Sequence, residues 1–391
     1  MRALALIDGE HYAPVVRTAL AALPYEVVGA LLVGGTEKLR GGEDYGVPLV
    51  GALEEVEADL VVDLSDEPVL GPRERMLWAS RVLALGLPYE GADFRFDPPH
   101  FHDVGCPSLA VIGTGKRVGK TAVTGHVARL LAAERRVVVV AMGRGGPAEP
   151  EVVGTPPRLA DLVALARSGR HGASDHLETA ALVGVPTVGC RRAGGGLAGA
   201  TLDSNVLEGA QAALGLDPEL LVFDGSGAAV PPVAADARIL VTGGAHDVRD
   251  GLNAYRVLVS DLVVDTGGAD HRAIRAIADL PIVAAELRLR PQQPLAGRRT
   301  AVFTTGPAPT EHLDAEVVNV SRNLARRDAL REDLARVDAE VYLVELKAAA
   351  VDVVAEAALE RGADVVLAAN DVVADGLDEY VHDLVAGAVR T

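Results

Sequence analysis

The chain has 391 residues, 49% hydrophobic and 24% charged, which fits about two or three globular domains and excludes wholesale disorder, a fibrous repeat or a small disulfide-stapled scaffold. Its 37 basic residues against 55 acidic ones leave a formal charge of −18, so most of the surface repels a phosphate backbone. Nucleic acid is therefore not expected as a partner, and an anionic ligand must find a local basic cluster. Aromatics are only 3%, so the core must be built from Ala, Val and Leu, the material of buried parallel strands covered by helices.

Residues 1–100 read as an N-terminal α/β domain, with strands at 3–7, 27–33 and 59–64 and a helix at 13–23. Two acidic segments, Asp8-Gly-Glu-His-Tyr12 and Asp63-Leu-Ser-Asp-Glu67, follow strands at the ends where open parallel sheets place ligands. They also fit ordinary strand-to-helix loops. A Pro-rich stretch around Asp97-Pro-Pro-His100 looks like a linker. Residues 101–297 carry apolar strand candidates at 109–112, 136–141, 187–190, 220–223, 239–241, 262–264 and 282–284, mostly separated by helical patterns. That alternation predicts a central, mostly parallel sheet with helices on both faces, like a phosphate-loop NTPase. Residues 298–391 form a smaller C-terminal α/β domain with strands near 301–303, 317–320, 341–344 and 365–367 and a mixed-charge helix over 322–336. Cys106 and Cys190 lie too far apart for a secreted disulfide framework. No apolar run reaches the roughly 18 residues that span a bilayer, so the expected location is the cytoplasm, away from any membrane.

The most informative segment is Leu109-Ala-Val-Ile-Gly-Thr-Gly-Lys-Arg-Val-Gly-Lys-Thr121, followed by a helical pattern over 122–133. Strand, glycine loop and helix in that order turn backbone N–H groups and a helix N-terminus toward one point, which holds a di- or triphosphate. The candidate nucleotide-binding residues are Gly113, Thr114, Gly115, Lys116, Arg117, Val118, Gly119, Lys120 and Thr121. Lys120 would reach the outer phosphates and the Thr121 hydroxyl would ligate Mg²⁺. Thr114 stands where the usual pattern has its first Gly, and the variant resembles the loop of dethiobiotin synthetase. Lys116 adds a cation for the developing charge.

Strand 220–223 ends in Asp224-Gly-Ser-Gly227, where a second Mg²⁺ contact or a helix N-cap is expected. Three clusters frame arginines with glycines or polar groups: Gly143-Arg-Gly-Gly-Pro147, Ser168 to Glu178, and Gly189-Cys-Arg-Arg-Ala-Gly-Gly-Gly196. Each alone fits a surface loop, whereas together they suggest a polyanion site. His171, Asp175, His176 and Glu178 lack a zinc spacing such as His-Glu-x-x-His, and are read as substrate or Mg²⁺ contacts. Cys190 reads as a buried strand-end cysteine rather than a thiolate activated by Arg191 and Arg192.

These segments, with Ala254-Tyr-Arg256 and Glu345-Leu-Lys-Ala348, resemble the cyclic 2,3-diphosphoglycerate synthetase family over nearly the whole length. The resemblance implies an ATP-dependent enzyme that closes 2,3-bisphosphoglycerate into a cyclic pyrophosphate, a polyanionic solute associated with heat-adapted cells. Lys116 and Lys120 would then be catalytic. Thr121, Asp224 and Asp175 would hold Mg²⁺, and Arg144, His176, Arg191 and Arg192 would grip the substrate. A homodimer is the expected assembly. A 2-phosphoglycerate kinase and a nucleotide-switched regulatory ATPase are the alternatives.

Overall fold

A computed structural model describes residues 1–388. The chain divides into two compact units. The first comprises residues 1–100 together with 247–259 and 270–279, two stretches borrowed from the middle of the chain. Its sheet runs Leu49–Val50, Glu26–Leu32, Arg2–Ile7, Leu60–Asp63, Tyr89–Glu90 and Arg95–Phe96, parallel except for the last pair. Ala3, Leu4, Ala5 and Leu6 have no exposed surface, as a strand paired on both sides and covered on both faces requires. The helices Ala13–Ala22 and Pro72–Ala84 each open with a proline in the first turn, where its missing N–H costs nothing. The helix Asn253–Leu258 packs against Pro72–Ala84.

The second unit holds two sheets. In the central one, seven parallel strands run in the order Thr187–Ala193, Val137–Gly143, Leu220–Asp224, Ser108–Gly113, Ala237–Thr242, Leu262–Asp265 and Ile282–Ala284. Glu151–Val153 and Asp203–Ser204 add to Thr187–Ala193 antiparallel. The helix Lys120–Ala132 buries Val123, Val127 and Leu131 against Val111, Val139 and Val222. The helix Val206–Leu214 covers the other face, where Gly209 meets Cys190 and Val140. Helices on both faces of a mostly parallel sheet are what the alternating pattern predicts.

The C-terminal sheet has the order Glu286–Pro291, Asp364–Val373, Val341–Glu345, Arg299–Phe303 and Glu316–Ser321, with its first pair antiparallel. It shares cores with the central sheet: Leu377, Val381 and Val385 of the last helix join Val111 and Ile239, and Phe303 and Tyr342 join Leu162 and Leu177. The charged helix covers Arg327–Arg336 and not the predicted 322–336. Asp333 explains the late start, because it accepts from Ser321 Oγ at 2.6 Å and Asn323 Nδ2 at 2.8 Å and holds the preceding residues in a turn.

Candidate active site

The carboxyl ends of the central strands open onto a cavity of about 710 Å³, whose walls come from both sheets of the second unit. The loop between Ser108–Gly113 and Lys120–Ala132 forms one wall. Thr114 N donates to Val241 O at 3.2 Å, and Thr114 Oγ1 lies 3.1 Å from Thr242 Oγ1. The hydroxyl thus ties the loop to the next strand, an anchor that a glycine could not supply at this position. His246 Nε2–H donates to Lys116 O and Thr266 Oγ1–H to Val118 O, at 3.2 and 2.9 Å. The chain turns through left-handed backbone at Arg117 (φ 62°) and Gly119 (φ 88°) before the helix starts.

Lys120 is only 8% exposed and folds back beneath this loop, donating to Gly115 O at 3.0 Å. It crosses Gly113 so closely that a Cβ there would lie 2.8 Å from Lys120 Cδ, so a side chain at that position would displace the lysine. Burial pushes the ammonium down to about 8, against the pull of Asp224 and Asp175. A buried cation whose donors meet one backbone carbonyl is poised for a phosphate. Thr121 stands half-buried on the cavity wall, with Lys116 and Arg117 exposed at its edge.

Asp224 ends its strand 3% exposed and accepts from Thr124 Oγ1 at 3.0 Å. Burial pushes its carboxyl up to about 7, although Lys120 draws it down. Asp175 opens the helix Asp175–Val183 and lines the cavity, and one turn later Glu178 lines it too, only 6% exposed. The C-terminal sheet adds Glu345, which accepts from Thr305 N at 2.7 Å, Thr305 Oγ1 at 3.1 Å and Asn370 Nδ2 at 2.9 Å. Lys347 follows, 3.4 Å from Glu178 Oε1. Burial works against its charge, but Glu178 and Glu345 hold it above the usual lysine range.

The phosphate loop, Arg144, Asp175, His176 and Asp224 thus gather at one cavity, whereas the arginine pair does not join them there. Arg192 braces the cavity from behind, donating to Ser226 O at 2.8 Å and Gly194 O at 2.6 Å, and so supports the turn Gly225 to Gly227 that lines it. Arg191 points elsewhere, toward Asp203 at 3.9 Å. His176 is buried with Nδ1 3.2 Å from Ser174 Oγ, and burial lowers its pKa. The Cys190 thiol is pushed up to about 12 by burial, so Arg191 and Arg192 do not make it a nucleophile. Among the described residues no group of three or more His, Cys, Asp or Glu side chains is arranged to hold a metal by itself. Thr305, Asn370 and Lys347 carry no local phosphate or metal signature, and the segment Glu345-Leu-Lys-Ala348 was the one sequence cue toward them, whereas Glu178 stood among the substrate or Mg²⁺ contacts read from the sequence.

Residues 2–97, 108–278 and 291–371 match, in turn, the cyclic 2,3-diphosphoglycerate synthetase N-terminal domain, its P-loop domain and its C-terminal domain. A cyclic 2,3-diphosphoglycerate synthetase of Rubrobacter xylanophilus is 49% identical, covering 100% of this chain and 98% of the relative. Proteins of the same name from Thermococcus kodakarensis and Methanothermobacter thermautotrophicus are 43% and 37% identical, covering 95% and 99% of this chain and 95% and 96% of their own. Among solved structures, LpxK from Aquifex aeolicus in complex with ATP is 15% identical with a TM-score of 0.48, covering 81% of this chain and 95% of its own. Among the described residues no helix is long and apolar enough to cross a membrane. The matched domains and the full-length relatives establish that this chain is an enzyme belonging to the cyclic 2,3-diphosphoglycerate synthetase family.

Proposed function

We propose that this chain uses ATP to close 2,3-bisphosphoglycerate into cyclic 2,3-diphosphoglycerate, acting in the cytoplasm as a homodimer built from domains 1–100, 101–297 and 298–391. The observation that carries the reading is the gathering of Lys116, Arg117, Lys120, Arg144 and Lys347 around one cavity in a chain of net charge −18. Two phosphates of one molecule repel each other, so joining them requires one to become a better electrophile. Transfer of the γ-phosphoryl group to one substrate phosphate forms a new P–O–P bond and frees ADP. An oxygen of the neighbouring phosphate then attacks the esterified phosphorus within the same molecule, where effective molarity is high, and inorganic phosphate leaves. The attacking oxygen is already ionised near neutral pH, so no general base is required.

Lys120, Lys116 and the loop amides bind the transferring group and stabilise its charge. Arg144 and His176 face the bisphosphoglycerate, while Arg192 acts on it through the Gly225 to Gly227 turn. The Thr121 hydroxyl and the Asp224 and Asp175 carboxylates form an all-oxygen set that suits Mg²⁺, and the buried Asp224 carboxyl stands to gain most from a cation. When bound, Mg²⁺ neutralises phosphate charge. Phosphorus NMR tests the reaction: each turnover should consume one ATP and one 2,3-bisphosphoglycerate, release one free phosphate and replace monoester signals with pyrophosphate resonances. A kinase would phosphorylate 2-phosphoglycerate, release no phosphate and leave 2,3-bisphosphoglycerate unreacted, and that stoichiometry would overturn the reading.

A further inference from the structure

We propose that Lys347 is a substrate-binding residue through which the C-terminal sheet holds a phosphate of 2,3-bisphosphoglycerate, and that Glu178 is its positioning residue; this rests on the reaction proposed above. The charge demand comes first. Two phosphate monoesters and a carboxylate must sit beside the nucleotide's own phosphates, yet Arg191 points away from the cavity and the two terminal nitrogens of Arg192 donate to Gly194 O and Ser226 O. With Lys116 and Lys120 engaged on the transferring group, Arg117, Arg144 and Lys347 are the lining cations left. Arg117 and Arg144 are exposed, and Lys347 is the one of the three whose place is set by a buried carboxylate.

The backbone around Lys347 is shaped for display. Its strand ends at Glu345, Lys347 N donates back to Glu345 O at 2.8 Å, and Ala350 N donates to Lys347 O at 2.9 Å. Between these bonds Ala348 takes a left-handed conformation (φ 49°), and a π-helical stretch, Ala350–Ala355, follows. A non-glycine residue in that region persists where surrounding structure over-determines it, and π-helical turns inside helices concentrate at functional sites. The ammonium approaches Glu178 Oε1 at 3.4 Å and makes no closer polar contact among the described residues, so its donors have capacity to spare. Its charge also weighs on Lys120 and Asp224, as that of a group sharing their cavity must.

The test uses the full chain with Lys347→Ala, Lys347→Arg and Glu178→Gln. Lys347→Ala should raise KM for 2,3-bisphosphoglycerate by about tenfold or more, the scale of a lost charge-assisted contact. ATP binding, measured by calorimetry without bisphosphoglycerate, should change less than about threefold. Lys347→Arg should recover most of the loss, and Glu178→Gln should raise the same KM by about threefold with ATP binding unchanged. A folded Lys347→Ala protein with an unaltered KM for 2,3-bisphosphoglycerate, or with an equal loss of ATP affinity, overturns the proposal. Should Lys347→Ala fail to fold, Lys347→Met keeps the packing stem and carries the same expectations. If the parent protein forms no cyclic product, the proposed reaction is what fails. Calorimetry of 2,3-bisphosphoglycerate on parent and Lys347→Met then still decides the role of Lys347, equal affinities overturning it.

Discussion

Asp8 directly follows one strand of the N-terminal sheet and Asp63 ends another, as Asp224 ends a strand of the central sheet, and all three are less than a tenth exposed. Their hydrogen bonds separate them. Asp8 Oδ1 accepts from Glu10 N, His11 N and His11 Nδ1, and Oδ2 accepts from Asp66 N at 2.8 Å. Asp63 accepts from Ser65 N and Oγ and from Tyr89 OH, and pairs with Arg75 at 3.0 Å. Asp224 has Thr124 Oγ1. Burial works to raise the Asp8 carboxyl, but its donors outweigh burial and hold it below the usual range, whereas burial wins at Asp224. Carboxylates whose lone pairs are filled from within knit two loops together. One that stays buried with a single hydrogen bond is suited to a ligand that brings its own positive charge.

The largest effect should come from the cation facing that poised carboxylate. Lys120→Ala is expected to lower turnover by about 10²- to 10³-fold, the scale of deleting one group that stabilises a developing anion. The rate of ADP release from a folded variant checks this, and near-normal turnover would remove the phosphate loop from the chemistry.

Asp224→Asn should cost turnover about tenfold or more and yet make the protein more stable. The amide oxygen can still accept from Thr124, so the hydrogen bond survives while the buried charge goes. A carboxyl raised to about 7 in the fold and near 3.9 when unfolded binds more protons folded than unfolded between those values, so the parent loses stability as pH rises from about 4 to about 7. The variant escapes that loss. Its Tm should exceed the parent's by about 2 to 6 °C at pH 8, with the gain vanishing near pH 4. A Tm below the parent's at pH 8 would mean that Asp224 is structural, and the contrast with Asp8 would collapse.

Much of this was legible in the chain. The seven parallel strands of the central sheet are apolar runs because both faces are covered, and Gly-Lys-Thr121 marks the start of its helix. Two-residue strands such as Leu49–Val50 and Tyr89–Glu90 carry no periodicity to read. Glu286–Pro291 alternates charged and apolar residues as a half-buried edge strand, and its antiparallel partner lies some eighty residues downstream. The arginine pair shows a different failure. Because the strand runs through Ala193, Arg191 and Arg192 project to opposite faces, so one site could not receive both side chains. Glu178, Lys347 and Asn370 come together only when two sheets share a core, and local spacing says nothing of such packing.

The smallest effect on turnover, and the sharpest counterpart to Asp224→Asn, belongs to Asp8→Asn. An amide cannot replace a carboxylate that accepts from three backbone N–H groups and an imidazole, so the substitution should destabilise the fold by about 1 to 3 kcal/mol. Turnover at a temperature well below the transition should stay within about twofold, because removing a structural contact leaves transition-state binding untouched. The pH dependence should also be reversed. A carboxyl held below its ordinary value in the fold stabilises the protein above the unfolded pKa of about 3.9, and that stability is lost as pH falls through the folded value. The Tm deficit of Asp8→Asn should therefore be full at pH 7 and shrink in acid, where the Asp224→Asn gain has also gone. Thermal scans of both variants from pH 8 into acid should give differences of opposite sign, the Asp224→Asn gain fading by about pH 4 and the Asp8→Asn deficit shrinking only below about pH 4. If Asp8→Asn instead matched the parent in Tm but lost turnover, the N-terminal crest would be a site of chemistry and not a knot between loops.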